Sequence, residues 1–345
     1  MRAFAVLMML QGHTVHTLLA EQYRNMDSII YSSWYILRGF TAPIFIFTSG
    51  VVFTYLLTLN KFSLKENPRI KKGIQRGISL ILIGYILRYP AYKIFNFSDV
   101  TKEQWLIFFS VDALHLIGFG LLLVVFFKWI SSLLEINDII MFSSLAIIIL
   151  LFTPWINTLG WDQILPIPFA SYFTFKYGSI FPLFPYLQYI FVGAVLGSLL
   201  SRKPELHKSV YVNILILGIG IGLFVFSQFL PSIIDISETV SYSQSLNRIG
   251  VMLILNSTFV FIAVKIESAP KFISTLARYS LLIYIIHLVI LYGSPWSIGL
   301  YQLIPASFSI SITILSTLLM ITLMILISLR IDKFKVEKEK KFIRK

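Results

Sequence analysis

Ionisable or phenolic side chains are few inside the apolar stretches of this chain, and some of them recur at a spacing of three residues. The pairs with this spacing are His13 with His16, Asp112 with His115, and Tyr284 with His287. Residues three apart lie on one face of a helix, so each pair can point into a shared interior. An imidazole can take and return a proton near neutral pH, and a carboxylate beside it fixes its tautomer. The pattern therefore indicates acid–base chemistry within a helical bundle.

Three arginines accompany these pairs. Arg38, Arg88 and Arg248 lie within or at the ends of apolar stretches. An Arg or Asp at the centre of a membrane helix costs about 2.5–3.5 kcal/mol, so such residues mark a functional site by default. Because a guanidinium binds phosphate oxygens in a bidentate manner, the arginines are candidate ligands for an anionic substrate.

Most of these residues also have a structural interpretation. A buried histidine is usually a hydrogen-bonded structural or pocket-lining residue, and this alternative stays open for His16, His115 and His287. Asp112 and Arg38 have the alternative of a structural ion pair, because charges at such depth are normally paired. A metal site needs three or four converging ligands, and no carboxylate accompanies the first histidine pair in sequence, so we expect no metal.

Ten apolar stretches of helix length must position these residues. The chain of 345 residues is 57% hydrophobic and 13% charged, with a mean hydropathy of +0.82, which excludes a soluble globular protein. Most stretches reach the roughly 20 residues that cross a bilayer. We predict an all-α polytopic integral membrane helical bundle of about ten transmembrane helices, with no soluble domain. The predicted spans are 3–20, 36–59, 74–94, 105–127, 138–156, 181–200, 209–230, 244–264, 277–294 and 306–329.

The positive charge of the chain follows this predicted topology. If the N-terminus is cytoplasmic, 22 of the 29 Lys and Arg residues lie on the cytoplasmic side and four lie near the outer face. The net charge of +13 therefore needs no nucleic acid partner. We predict one transmembrane domain over residues 1–330 and a basic cytoplasmic tail over 331–345. The absence of cysteine excludes disulfides and a thiol nucleophile, and the oligomeric state stays open.

Five segments carry a resemblance to known proteins. Residues 2–13 (RAFAVLMMLQGH) are similar to the first-helix signature of transmembrane acyltransferases, and His13 fits the acyltransferase 3 pattern. The remaining segments resemble successive motifs of the bacterial heparan-α-glucosaminide N-acetyltransferase-like family. They are residues 38–50 (RGFTAPIFIFTSG), 111–118 (VDALHLIG), 182–186 (PLFPY) with Gly193 and Gly197, and 280–287 (SLLIYIIH).

The resemblance implies a membrane-embedded enzyme, which we expect in the bacterial inner membrane, and the distribution of Lys and Arg predicts that both termini are cytoplasmic. It would transfer an acetyl group from acetyl-CoA, the donor, to a hydroxyl or amine of a carbohydrate or glycolipid of the cell envelope. We expect His13 to act as general base or, alternatively, as nucleophile, with Asp112 orienting it or balancing its charge. The residues expected to bind substrate are Arg38, Arg88, His115, Arg248, His287, Tyr284 and His16.

A second class of function uses the same residues. A transporter or flippase for an anionic or lipid-linked substrate would use the arginines as a binding layer and the histidines as a proton relay. Many transporters have broken helices and a two-fold repeat, and the sequence shows neither clearly. The long outer loop over 157–180 is rich in aromatic residues and proline. It is expected to form either a cover over the substrate or a passive interfacial belt.

Overall fold

The structure is a computed structural model that describes residues 1–59, 66–230, 242–266, 268–304 and 306–343. Within these ranges β-structure is limited to two isolated bridges, so the all-α prediction is confirmed. The helices, in chain order, are α1 Arg2–Leu18, α2 Ile29–Arg38, α3 Thr41–Leu59, α4 Pro68–Leu87, α5 Lys102–Phe109, α6 Ala113–Leu133, α7 Asp138–Thr158, α8 Trp161–Ile164, α9 Ile167–Ala170, α10 Leu183–Arg202, α11 Val210–Phe229, α12 Tyr242–Lys265, α13 Lys271–Arg278, α14 Ser280–Tyr292, α15 Leu300–Leu303 and α16 Ile310–Ile343.

The described part of the chain contains seven segments that are long and apolar enough to cross a membrane. The pair α13 and α14, which is bent by 77°, is an eighth if it is counted as one span. The protein is therefore a multi-pass membrane protein, but the count of ten helices is not confirmed. Helix α1 has 17 residues and spans only about 25 Å. Helix α4 begins with a strongly basic segment, PRIKKGIQR.

Several predicted spans are broken rather than continuous, and two of the breaks lie next to predicted site residues. The span over 105–127 consists of α5 and α6, which are separated at Ser110, Val111 and Asp112. The break arises because the Asp112 carboxylate accepts hydrogen bonds from the first N–H groups of α6 and starts a new helix. The span over 277–294 is divided at Tyr279, between α13 and α14. The sequence pattern placed Asp112 within a helix. In the structure it lies at the start of α6 instead.

The chain divides into two compact units. The central unit, Pro43–Lys265, contains α4 to α12 and nearly all of α3, and its helices approach closely at glycines. Gly50 on α3 and Gly193 on α10 lie against main-chain atoms of the opposite helix, and Gly77 and Gly118 do the same between α4 and α6. Small residues allow membrane helices to pack with their backbones in contact. These glycines therefore fix the helix spacing.

The terminal unit consists of Met1–Ala42 and Ile266–Lys345. In it, α1 packs against α14 and α16. The Asp332 carboxylate of α16 accepts a hydrogen bond of 2.7 Å from Arg278 and one of 3.2 Å from the Tyr279 hydroxyl, which ties α13 to α16. The tail predicted over 331–345 continues α16 as far as Ile343.

Candidate active site

His13 lies in a polar cluster of the terminal unit. Its Nδ1 is 3.1 Å from the hydroxyl of Tyr292, and its ring centre is 5.3 Å from that of His287. The Tyr292 ring also meets the imidazole edge-on at 5.7 Å between centres. Helix α14 ends at Tyr292 because Gly293 adopts a φ of +80°, which favours glycine. The half-buried His13 is thus held by two side chains of α14.

His287 is fully buried beside it. Its Nδ1 lies 2.8 Å from the carbonyl oxygen of Ile283. A carbonyl oxygen can only accept, so Nδ1 carries the proton and Nε2 keeps its lone pair. No hydrogen-bond partner for this Nε2 is found among the described residues. The Tyr284 ring meets the imidazole edge-on at 5.8 Å, so both residues expected from the 280–287 segment belong to this cluster.

Arg38, the last residue of α2, packs against α1 in the same unit. Its Cγ lies 3.2 Å from the point where a side chain on Gly12 would begin, so the arginine stem crosses α1 where α1 has no side chain. The guanidinium is 5.6 Å from the Trp34 ring centre, a cation–π contact. The Trp34 indole donates a hydrogen bond of 2.6 Å to Gln11. These contacts place Arg38 beside the residue that precedes His13.

His16 has a different environment from His13. Its side chain is exposed, and its backbone carbonyl accepts a hydrogen bond of 2.8 Å from Arg24. The same Arg24 also donates to the Leu19 carbonyl, so it caps the end of α1. The structure therefore separates the exposed His16 from the enclosed His13.

The central unit holds a second polar cluster at the break between α5 and α6. The Asp112 Oδ1 atom accepts hydrogen bonds from the backbone N–H groups of Leu114 and His115, at 2.9 and 3.3 Å. The same oxygen is 2.9 Å from His115 Nδ1. The His115 side chain is fully buried. Asp112 therefore orients His115, while its expected pairing with His13 stays a prediction.

Arg88 completes this second cluster. Its Nε is 3.5 Å from the Asp112 carboxylate, and its Nη1 donates to the backbone carbonyl and the hydroxyl of Ser110. The arginine therefore balances the buried charge of Asp112 and binds the non-helical residues of the break. The ion pair with Arg88 is the structural alternative that the sequence left open for Asp112, while the expected binding of substrate by Arg88 stays a prediction.

Aromatic residues and a surface segment enclose the cluster. The Tyr85 ring meets the His115 imidazole edge-on at 4.4 Å, and its hydroxyl is 3.0 Å from that of Tyr172. Burial raises the pKa of Tyr172, and the hydrogen bond to Tyr85 raises it further. The segment after Tyr172 is anchored at Val111, whose N–H donates a hydrogen bond of 2.9 Å to Ser179. The loop over 157–180 therefore packs against the break through Tyr172 and Ser179.

Arg248 occupies a third position, within the central unit. It lies 5.6 Å from the Tyr186 ring centre, and its Nη1 is 3.5 Å from the Tyr186 hydroxyl. In the described part of the chain no group of three or more His, Cys, Asp and Glu side chains is arranged to hold a metal ion. The predicted residues thus have several different local environments, and their convergence into one layer stays a prediction.

Several residues of these clusters were not predicted from the sequence. Tyr292 follows His287 by five residues, a spacing that does not place two residues on one helix face, so the sequence carried no signal for it. Tyr85 precedes Arg88 by three residues and could have been found by the spacing that identified the other pairs. Trp34 and Gln11 contact each other across 23 positions, and no local pattern indicates that contact.

Comparison with known proteins identifies the family of this chain. The family model described as heparan-alpha-glucosaminide N-acetyltransferase, catalytic, matches residues 1–227. No curated protein and no solved structure gave a match. The matched region includes His13, Arg38 and the Asp112–His115 pair, whereas Arg248 and His287 lie beyond it. Because the match covers more than half of its length, the chain belongs to the heparan-alpha-glucosaminide N-acetyltransferase catalytic family.

Proposed function

We propose that this membrane acetyltransferase transfers an acetyl group from acetyl-CoA to a hydroxyl or amine of an envelope carbohydrate or glycolipid, with His13 as general base. The family gives the reaction class, and its description names a glucosaminide acceptor. The observation that carries the assignment of His13 is its position: an imidazole in the matched region, half-buried, with Tyr292 and His287 against it. The proposed location is the bacterial inner membrane, with both termini cytoplasmic.

The proposed reaction needs one group that takes and returns a proton. The acceptor oxygen or nitrogen attacks the thioester carbonyl carbon while His13 takes the acceptor proton. The carbon–sulfur bond then breaks, and the imidazolium returns the proton to the leaving thiolate. The products are the acetylated acceptor and free CoA. If His13 Nδ1–H donates to the Tyr292 oxygen, Nε2 is the atom that accepts the proton.

Arg38 is the best of the three arginines for the phosphates of the donor. Arg88 contacts Asp112 and Ser110, and Arg248 contacts Tyr186, whereas Arg38 makes neither a hydrogen bond nor an ion pair within the described residues. A guanidinium without a counter-charge favours binding of an anion. His287 and Tyr284 are proposed to line the same site, and His16 is left outside it.

Transport is the second candidate function, and the broken helices favour it. The breaks between α5 and α6 and between α13 and α14 resemble the discontinuous helices that form transporter binding sites. The family match favours acetyl transfer. Uptake of an anionic glycolipid into vesicles, without acetylation of any acceptor, would decide for transport.

The experiment that tests the proposed function is acetyl transfer by the purified protein. Radiolabelled acetyl-CoA is incubated with envelope glycans, and label in the glycan is measured. His13→Ala should lower the transfer rate at least about 100-fold, the lower end of what a positioned acid–base group contributes. His16→Ala is the matched control on the same helix and should have a small effect. Near-normal turnover by a folded His13→Ala protein would refute the assignment.

A further inference from the structure

We propose that the Asp112–His115 pair forms a hydrogen-bonding site for a neutral hydroxyl or amine group of the acceptor, bound by His115 Nε2. The inference rests on the proposed function, because it names the acceptor as the ligand. The site lies in the central unit, where Asp112 holds the buried imidazole at the start of α6.

The tautomer of His115 follows from its two contacts at Nδ1. The Asp112 carboxylate lies at 2.9 Å and the Asp112 backbone N–H at 3.3 Å, and a single nitrogen cannot donate to the first and accept from the second. The carboxylate contact is shorter and charge-assisted, so it prevails. In the neutral imidazole, Nδ1 therefore carries the proton and Nε2 presents a lone pair.

This lone pair has no partner among the described residues, although the whole side chain is buried. Buried polar atoms are normally hydrogen-bonded, and an exception calls for a functional explanation. A ligand that donates a hydrogen bond provides that explanation. Hydroxyl groups and neutral amines are such donors, and a carbohydrate carries several.

The imidazole is also held in place by the surrounding helices. A Cβ added to Gly84 would lie 2.6 Å from Cε1 of the His115 ring and 2.8 Å from Nε2, so only glycine leaves room for the ring there. The Tyr85 ring covers another side of the imidazole at 4.4 Å. Since the ring is enclosed, binding requires a neighbouring side chain to shift, and Tyr85 is only half-buried.

The charges around the site determine which ligand fits. Asp112 is negative, Arg88 is positive at 3.5 Å, and the first N–H groups of α6 already bind the carboxylate. These charges balance around a neutral imidazole. A neutral donor can bind Nε2 without leaving a buried charge unpaired, whereas a charged group cannot.

Two substitutions at position 115 separate the two sides of the imidazole. Asn can still donate to Asp112 from the Nδ1 position but has no atom at Nε2, whereas Gln can place an acceptor near Nε2. His115→Asn should raise the acceptor KM at least about 10-fold, the loss of one hydrogen bond of about 1.4 kcal/mol, with the acetyl-CoA KM unchanged. His115→Gln should recover most of this loss. A purely structural His115 would change the melting temperature and leave the acceptor KM unchanged, which would overturn the proposal.

Two glycine substitutions on α4 provide a matched control. Gly84→Ala displaces the imidazole and should raise the acceptor KM as His115→Asn does. Gly77→Ala disturbs the same pair of helices, because its Cβ would lie 2.8 Å from the Gly118 carbonyl oxygen, but it does not touch His115. Equal effects of the two alanines on the acceptor KM would refute a role for His115 in binding.

A direct measurement distinguishes failure of this proposal from failure of the proposed function. The full-length protein is labelled with ¹⁵N-histidine, and the His115 signals are assigned by their loss in His115→Asn. A neutral disaccharide at high concentration should shift the unprotonated Nε2 signal of His115, whether or not acetyl transfer occurs. An unshifted signal overturns the site. A shifted signal in a protein that transfers no acetyl group keeps the site and rejects the acetyltransferase reaction.

Discussion

Tyr292→Phe tests whether the His13 cluster works as proposed. The substitution removes the hydroxyl that lies 3.1 Å from His13 Nδ1 and leaves the ring, whose edge-on contact with the imidazole is kept. It therefore removes one hydrogen bond with little change in packing. The effect on acetyl transfer reports how far that hydrogen bond supports the base.

The loss of rate in Tyr292→Phe depends on whether the hydrogen bond supports a neutral or a protonated His13. A hydrogen bond between neutral groups contributes about 0.5–1.5 kcal/mol, so a hydroxyl that only orients the imidazole changes the rate by about 2–12-fold. A bond to a charged group contributes about 1.5–3 kcal/mol, so a hydroxyl that stabilises the imidazolium changes the rate by about 12–150-fold. In the proposed mechanism His13 is protonated only during the reaction, so we expect the larger loss in kcat and a small change in KM.

A double-mutant cycle makes this prediction specific. Acetyl transfer is measured for the wild type, for each single variant and for His13→Ala combined with Tyr292→Phe. Once His13 is absent, the hydroxyl has no base to support, so the second substitution should have no further effect. A loss of the same size in both backgrounds, or less than about a twofold loss in the wild type, would show that Tyr292 does not act through His13.

The remaining predictions concern stability and topology. The buried Asp138 carboxylate forms ion pairs with Lys128 and Arg202. Asp138→Asn should lower the free energy of unfolding by about 3 kcal/mol, near the low end for a buried ion pair because the Arg202 side chain is 40% exposed. A thermal melt in detergent measures the change. Gly193→Ala should destabilise the protein by about 1–3 kcal/mol, because the added Cβ would collide with the backbone of α3. A Cβ added at Gly218 has no atom within 4 Å, so Gly218→Ala should stabilise the protein by about 0.5–1 kcal/mol in the same melt. With no native cysteine, Lys176→Cys should react with an impermeant thiol reagent applied to intact cells, and Lys71→Cys should not.

The sequence predicted the candidate site residues better than it predicted the contacts between them. Spacing alone grouped Asp112 with His115 and Tyr284 with His287, and the structure shows both pairs in contact. Contacts such as the one between His13 and Tyr292 join residues 279 positions apart. A single sequence holds no periodicity that relates such distant residues, so this part of the site required the structure.

The helix breaks show a second limit of sequence analysis. Residues 105–127 are apolar almost throughout, and hydropathy alone predicts one continuous helix there. Asp112 instead forms the N-cap of α6, because its carboxylate accepts hydrogen bonds from the N–H groups of Leu114 and His115. The local hydrogen-bonding preference of Asp112 thus prevailed over the apolar pattern. The count of ten spans stays unconfirmed, because α1 has only 17 residues and α4 begins with a strongly basic segment.

The carboxylate at the start of α6 has a consequence for which molecules can use the break. An open helix N-terminus attracts free anions, because its first N–H groups have no partners and carry partial positive charge. In α6 the N–H groups of Leu114 and His115 already donate to the Asp112 carboxylate. Because this carboxylate belongs to the chain, it competes with any free anion for these groups. A sialic or uronic acid would bring a second carboxylate to a place where Arg88 already balances the charge of Asp112. If the proposed acceptor site lies at this break, it should therefore favour uncharged sugars over acidic ones.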